Sequence, residues 1–153
     1  MTNAPQLRPA AYADWPLLLA WRNDPETRRQ SLQGEPVAPE AHQAWLQALL
    51  DNPNRRLWIG LDRAGAPIGT VRADYDPQAD TTEISWTIAP EARGKGWGKA
   101  LVLRLLEELE GNVLAVVKPE NRASARIAEA VGLVRQADAG SGLLHFRAVL
   151  PSK

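Results

Sequence analysis

Between residues 83 and 100, an alternating run of Glu83, Ile84, Ser85, Trp86, Thr87 and Ile88 leads into a loop with glycines at 94, 96 and 98. The same loop carries Arg93, Lys95 and Lys99. Glycines let consecutive backbone N–H groups converge without a Cβ in the way, and a helix start leaves its first N–H groups unpaired beside a partial positive charge. Cations at that end oppose the helix dipole by about 0.3–1 kcal/mol each when exposed. A bound polyanion reverses that sign, so the pattern points to a phosphate-bearing ligand. It lacks the Gly-Lys-Ser/Thr ending of a P-loop, and its glycine spacing does not make G-x-G-x-x-G. Taken alone, a solvated glycine turn with incidental lysines is the competing reading.

Two segments carry a family resemblance. Arg93, Gly96 and Gly98 resemble the Gln/Arg-x-x-Gly-x-Gly/Ala loop that holds acetyl-CoA in the GNAT N-acetyltransferase family, placed after a strand and before a helix. Further on, Asn121, Arg122, Ala123 and Ser124 open an amphipathic stretch ending in Gly132-Leu133, similar to the family's second cofactor segment, Asn-x-x-Ala/Ser before a helix that ends in Gly-Phe. The resemblance implies acetyl-CoA as co-substrate and no metal. It implies that the backbone of Trp86, Thr87 and Ile88 pairs with the pantetheine arm like another strand. The amides of Arg93, Gly94, Lys95, Gly96, Trp97, Gly98 and Lys99 would hold the pyrophosphate. Asn121 and Ser124 would close in from the other wall, with strands 82–88 and 113–117 splayed to admit the arm. The plainer roles are a helix cap for Asn121, a helix-surface position for Ser124, and cover for apolar surface beside Leu101 for Trp97.

Acetyl transfer to an amine needs a neutral nucleophile, donors for the developing oxyanion and an exit for the thiolate. Alternation sets Glu83, Ser85 and Thr87 on one strand face and Ile84, Trp86 and Ile88 on the other. Glu83 is the base candidate, at a position where many GNAT enzymes place a glutamate; a structural pairing with Arg72 is the alternative. An N–H near Trp86 or Thr87 would supply the oxyanion donor. The family's usual acid is a tyrosine where this chain has Ala128, and the only tyrosines are Tyr12 and Tyr75. A thiol pKa of about 8.5 makes unaided thiolate departure tolerable.

The acceptor half also has a resemblance. Residues 21–31 with 41–46 are similar to a GNAT subgroup that includes acetyltransferases of nucleotide-linked amino sugars and of ribosomal-protein N-termini. Arg22, Asn23, Arg28 and Arg29 would suit a diphosphate or carboxylate through forked hydrogen bonds, against a solvated loop as the alternative. His42 is the remaining acceptor-side candidate, with a helix-surface position as its plainer reading, and His145 is structural or lines the acceptor cleft. The expected reaction is direct acetyl transfer to a primary amine of a small molecule such as a nucleotide amino sugar. A protein N-terminal acetyltransferase and a non-catalytic acyl-CoA-binding module are the alternatives; the first would need an open acidic groove and the second is favoured by Ala128.

These residues must be positioned by one domain spanning residues 1–153. An edge strand at 7–9 contains Pro9, tolerated at an edge. Asp14 is set to cap a helix from residue 15, followed by an irregular polar stretch at 22–35. A helix at 39–50 carries an apolar stripe of Trp45, Leu46, Leu49 and Leu50. Strands at 56–61, 67–74 and 82–88 make an antiparallel meander. Then come a helix at 98–110, a buried strand at 113–117, and a helix at 122–131 ended by Gly132. Strands at 133–136 and 143–149 close the chain as a hairpin around a connector at 139–142. The order βααβββαβαββ predicts an α+β fold, a mixed and mostly antiparallel sheet with helices on both faces.

Composition narrows the function classes. The 153 residues carry 18 Lys plus Arg and 18 Asp plus Glu, a formal net charge of zero that argues against nucleic-acid coating. With no cysteine and two histidines, a thiolate site and a His-rich metal centre are excluded. No apolar run approaches a bilayer span and the opening residues lack a signal-length apolar core. The expectation is a cytoplasmic protein, a monomer or homodimer, with no membrane or nucleic-acid partner.

Overall fold

The computed structural model describes residues 4–138 and 140–153. Its strands form a seven-stranded sheet, ordered β1-β2-β3-β4-β5-β7-β6. The strands are β1 (Gln6–Pro9), β2 (Arg55–Leu61), β3 (Pro67–Asp76), β4 (Thr81–Ile88), β5 (Gly111–Val117), β6 (Val134–Arg135) and β7 (Leu144–Leu150). Every neighbouring pair is antiparallel except β4 and β5. Pro9 sits on the β1 edge, where its missing N–H breaks no ladder. Of the connector expected at 139–142, Ala139 lies outside the described residues.

The helices are α1 (Trp15–Arg22), α2 (Pro25–Gln30), α3 (Pro39–Asp51), α4 (Trp97–Leu106) and α5 (Arg122–Ala130). They cover both faces of the sheet. On one face Gly60 and Gly69 face Leu101 of α4, and a Cβ on Gly60 would come within 2.2 Å of it. Helix α5 lies beside α4, separated at Gly98 by so little that a Cβ there would sit 2.6 Å from Ile127. On the other face α1 and α3 pack together and α3 rests on β2. Leu46, Leu49, Ile59, Ile84, Leu101, Leu105 and Phe146 are among the wholly buried side chains of the core.

Four local expectations are corrected. The polar stretch after α1 contains α2, because Asp24 accepts from the N–H groups of Glu26 and Thr27 while Pro25 fills the first turn. Asp14 does not cap α1; its carboxylate takes the Ala11 N–H at 2.7 Å and pairs with Arg8 at 3.0 Å. Helix α4 stops at Leu106 rather than reaching residue 110, and beyond its end Glu108 pairs with Arg104 at 2.7 Å. Trp45 is not part of the buried stripe of α3: Leu46 and Leu49 are wholly buried, whereas Trp45 is 36% exposed. At the end of α5, Gly132 at φ 101 lets Leu133 bond back to Ala128 and Gly132 to Glu129, the paired bonds of a Schellman end.

Candidate active site

Strands β4 and β5 start as a parallel pair and then part. Their partners run from Thr81 opposite Asn112 to Ile84 opposite Ala115, although β4 continues to Ile88 and β5 to Val117. Ser85, Trp86, Thr87 and Ile88 therefore keep their β3 partners and offer a bare edge towards β5. An unpaired strand edge is a template for an extended polar ligand. The opening continues into a cleft of about 1150 Å³. That volume exceeds the usual range for one drug-sized ligand.

The glycine loop borders this opening. After β4 a 3-10 turn (Pro90–Ala92) leads to Gly94 at φ 76 and Gly96 at φ 83, both in the left-handed region that favours glycine. Gly96 is the N-cap of α4, and no side chain caps that end. Among the described residues, the N–H groups of Gly94, Lys95, Gly96, Trp97 and Gly98 have no backbone or side-chain acceptor. A cluster of free amides at a helix start is a seat for phosphate. Gly94, Gly96, Trp97, Gly98 and Lys99 line the cleft; Lys95 does not. Trp97 also packs on the core with its half-buried ring.

Arg93 has a partner of its own. Its Nη2 donates to Asp24 at 2.6 Å and to the Thr27 hydroxyl at 3.0 Å, tying the glycine loop to the start of α2. The Arg93 guanidinium holds the Asp24 carboxyl below the usual carboxylate range, and the Thr27 N–H acts in the same direction. Because the folded value is lowered, this ionised group lends stability above the ordinary value of about 3.9, and the contribution is lost as pH falls through the folded value. Asp24→Ala is expected to destabilise the protein by about 2 kcal/mol in chemical denaturation, since cap and charge partner go together. Asp24→Asn, which keeps a capping oxygen, is expected to cost about half as much.

From the opposite wall, Asn121 caps α5 by accepting the Ser124 N–H at 3.2 Å, and both residues line the cleft. Ala128 is wholly buried and outside it. No tyrosine lines the cleft: Tyr12 is exposed and the Tyr75 hydroxyl donates to Asp80 at 2.9 Å.

On the α1–α3 face, the register aligns Arg55 with Asp74 and Glu83, Leu57 with Arg72 and Ser85, and Ile59 with Thr70 and Thr87. Asp74 is held at 3.0 Å by Arg55 and at 3.0 Å by Arg72. Glu83, directly opposite Asp74, faces the cleft and has no ion pair among the described residues. The alternative pairing of Glu83 with Arg72 is thus not formed. Arg55, Arg72 and Trp45 are cleft residues that motif reading passed over, although the shared parity of Thr70, Arg72 and Asp74 with Glu83 was the available signal.

The five acceptor-side candidates separate. Arg22 and His42 line the cleft. Asn23 does not: its amide bonds both the carbonyl and the N–H of Val37, each at 2.8 Å, and so fixes the chain before α3. Arg28 donates to the Gly34 carbonyl at 3.1 Å and Arg29 pairs with Glu26 at 3.1 Å. Arg28 and Arg29 border a separate shallow hollow with Lys118. His42 is buried rather than on the helix surface; burial first, and Arg22 second, push its imidazole below the usual range, which leaves it neutral at neutral pH. His145 stands apart from the cleft, 3.4 Å from the Ser141 hydroxyl. Among the described residues no cluster of His, Asp or Glu is arranged to hold a metal, and no helix is long and apolar enough to cross a membrane.

The family described as an acetyltransferase (GNAT) domain matches residues 6–134. No curated protein matches the chain. A spermidine N-acetyltransferase from Vibrio cholerae, solved with CoA and spermine, is similar at a TM-score of 0.84 and 18% identity, covering 96% of each chain. A phosphinothricin acetyltransferase from Sinorhizobium meliloti, solved with AcCoA, gives a TM-score of 0.78 at 23% identity over 96% of this chain and 89% of that one. A domain from Methanocaldococcus jannaschii gives 0.80 at 25% identity over 97% and 100%.

Proposed function

The chain belongs to the GNAT acetyltransferase family, and from that premise we propose that it moves the acetyl group of acetyl-CoA directly to a primary amine of a small molecule. The observation that carries this reading is the parting of β4 from β5 beside a loop of free amides, opening into a cleft with room for donor and acceptor together. When bound, acetyl-CoA supplies an activated acyl thioester. The residues fit it: the bare edge from Ser85 to Ile88 suits an extended amide-bearing arm, and the loop at Gly94, Gly96 and Gly98 suits a diphosphate. Asn121 and Ser124 bound the same space from α5.

Glu83 is the proposed base. It stands at the cleft without a competing cation, whereas Asp74 is committed to two arginines. The backbone N–H groups at the bare β4 edge are the proposed donors to developing negative charge. No tyrosine is placed to protonate the departing thiolate, and a leaving-group pKa of about 8.5 lets it depart without one.

The acceptor half favours a small molecule over a protein N-terminus. A basic peptide would need an open acidic groove, and this half instead mixes Arg22, Arg55 and Arg72 with Glu26 and Glu83 beneath α1 and α3. A nucleotide-linked amino sugar fits only with its diphosphate near Arg22 and His42, because Asn23, Arg28 and Arg29 are engaged outside the cleft. The test is mass spectrometry of purified protein with acetyl-CoA and a panel of amino acids, hexosamine phosphates, polyamines and N-terminal peptides. Acetylation of a small amine in preference to peptides is expected. Peptide preference would overturn the acceptor assignment, and tight CoA binding without turnover on any amine would make the domain an acyl-CoA-binding module.

A further inference from the structure

The buried side-chain polar atoms without a hydrogen-bond partner among the described residues are Arg22 Nη1, Gln30 Oε1, His42 Nε2, Arg72 Nε and Trp86 Nε1. All five residues line this same cleft. Buried polar atoms are almost always paired, so their concentration in a single cleft marks where water or a ligand supplies the missing partners. Trp86 alternates onto the α4 face of the sheet with Ile88 and serves the donor half. Arg72 Nε lies 3.0 Å from Asp74 without hydrogen-bond alignment. Arg22 donates through Nη2 to the Gln33 carbonyl at 2.5 Å, which leaves Arg22 Nη1 and His42 Nε2 as the acceptor-side donors without a partner.

They form one strip. His42 is 3% exposed and its ring centre lies 5.5 Å from that of Trp45. Trp45 in turn carries the Arg72 guanidinium 5.8 Å from its ring centre. The strip ends at Asp74, opposite Glu83. A cationic donor with a free Nη1 at one end and a free carboxylate at the other match a ligand with an acid at one end and an amine at the other.

Resting on the acetyl-transfer reading above, we propose that the acceptor is an amine that also carries an acidic oxyanion, a carboxylate or a phosphate, seated on Arg22 and His42 with Trp45 and Arg72 alongside. Burial and the nearby Arg28 both oppose the charge on Arg22, and a bound oxyanion relieves both. Neutral His42 adds a single donor when its proton is on Nε2. The Glu26 carboxylate, also at the cleft, is occupied by Arg29 at 3.1 Å and Gln30 at 3.0 Å.

The test pairs equilibrium binding with turnover, so that each can fail alone. Calorimetry on CoA-saturated protein compares leucine with leucinamide and 2-aminoethyl phosphate with ethanolamine, with spermidine as a cationic probe; mass spectrometry follows acetylation of the same amines. The acidic member of at least one pair should bind and react at least tenfold better, and the pair that does so separates carboxylate from phosphate. Arg22→Gln and His42→Gln should each erode that preference, while Arg22→Lys retains part of it. CoA affinity in each variant reports folding, and if Arg22→Gln fails to bind CoA, the other two variants carry the comparison. Equal binding within both pairs, preference for the neutral members or spermidine, or an acid preference that survives both glutamine variants would overturn the proposal. Discrimination without acetylation of any amine would keep the oxyanion seat and remove the transferase reading, and acetylation without discrimination would do the reverse.

Discussion

Gly96→Val is expected to weaken CoA binding more than a hundredfold, a loss of about 3 kcal/mol. Gly96 caps α4 at φ 83, and a Cβ built there meets nothing within 4 Å. The penalty therefore comes from the backbone. A non-glycine residue in the left-handed region is strained by about 1–2 kcal/mol, more when β-branched. If the peptide rotates to relieve that strain, the free amides at 96 and 97 turn away from a bound diphosphate, and each charged hydrogen bond so lost is worth about 1.5–3 kcal/mol. If it does not rotate, the valine side chain occupies the space through which the phosphates approach. Gly65 is a matched control, with φ 85, nothing within 4 Å, and a place in the turn between β2 and β3. Gly65→Val should cause similar strain in chemical denaturation and leave calorimetric CoA affinity within threefold of wild type. Comparable CoA affinity for Gly96→Val would remove the loop from the cofactor site.

The segments proposed to hold the donor are local in sequence, which is why a candidate could be drawn there. Residues 83–99 carry strand, loop and helix start in one run, and Asn121 to Gly132 carry the second wall, so glycine spacing and cap chemistry suffice. The acceptor half depends on tertiary register. Arg55, Arg72 and Glu83 come from three strands, and only the alignment of Arg55 with Asp74 and Glu83 reveals that Asp74 takes both arginines. Helix α2 escaped detection because its residues, Pro-Glu-Thr-Arg-Arg-Gln, have no apolar period, and its signal was the Asp24-Pro25 start alone. Trp45 escaped for the opposite reason. Its spacing with Leu46 and Leu49 reads as core, and periodicity cannot distinguish a side chain facing the core from one lining a cleft beside it. His42 reads as a surface residue on α3 until α1 and α3 are packed together and bury it.

Glu83→Gln is expected to lower kcat by about 10²–10⁴-fold, the usual contribution of a positioned general base. Two carboxylates face each other across β3 and β4, and the arrangement assigns them different work. Asp74 accepts a hydrogen bond from Arg55 at 3.0 Å and has Arg72 in ion-pair range at 3.0 Å, so its charge is compensated. Glu83 has neither partner, stands exposed on β4 at the cleft, and precedes by two residues the bare edge where the acyl group would lie. A glutamine there keeps the size of the side chain and loses the ability to accept a proton. Binding of CoA should therefore stay within threefold of wild type by calorimetry while kcat falls, a split that a general loss of structure would not produce. The deficit should be larger for an amine of pKa near 10.4 than for one near 7.7–8.0, because the latter is partly neutral before any base acts. The alkaline dependence of kcat/KM should steepen correspondingly, as the variant relies on amine already deprotonated in solution. A kcat within threefold of wild type on both amines would assign proton removal to another group or to solvent, and leave Glu83 as a strand carboxylate held opposite Asp74.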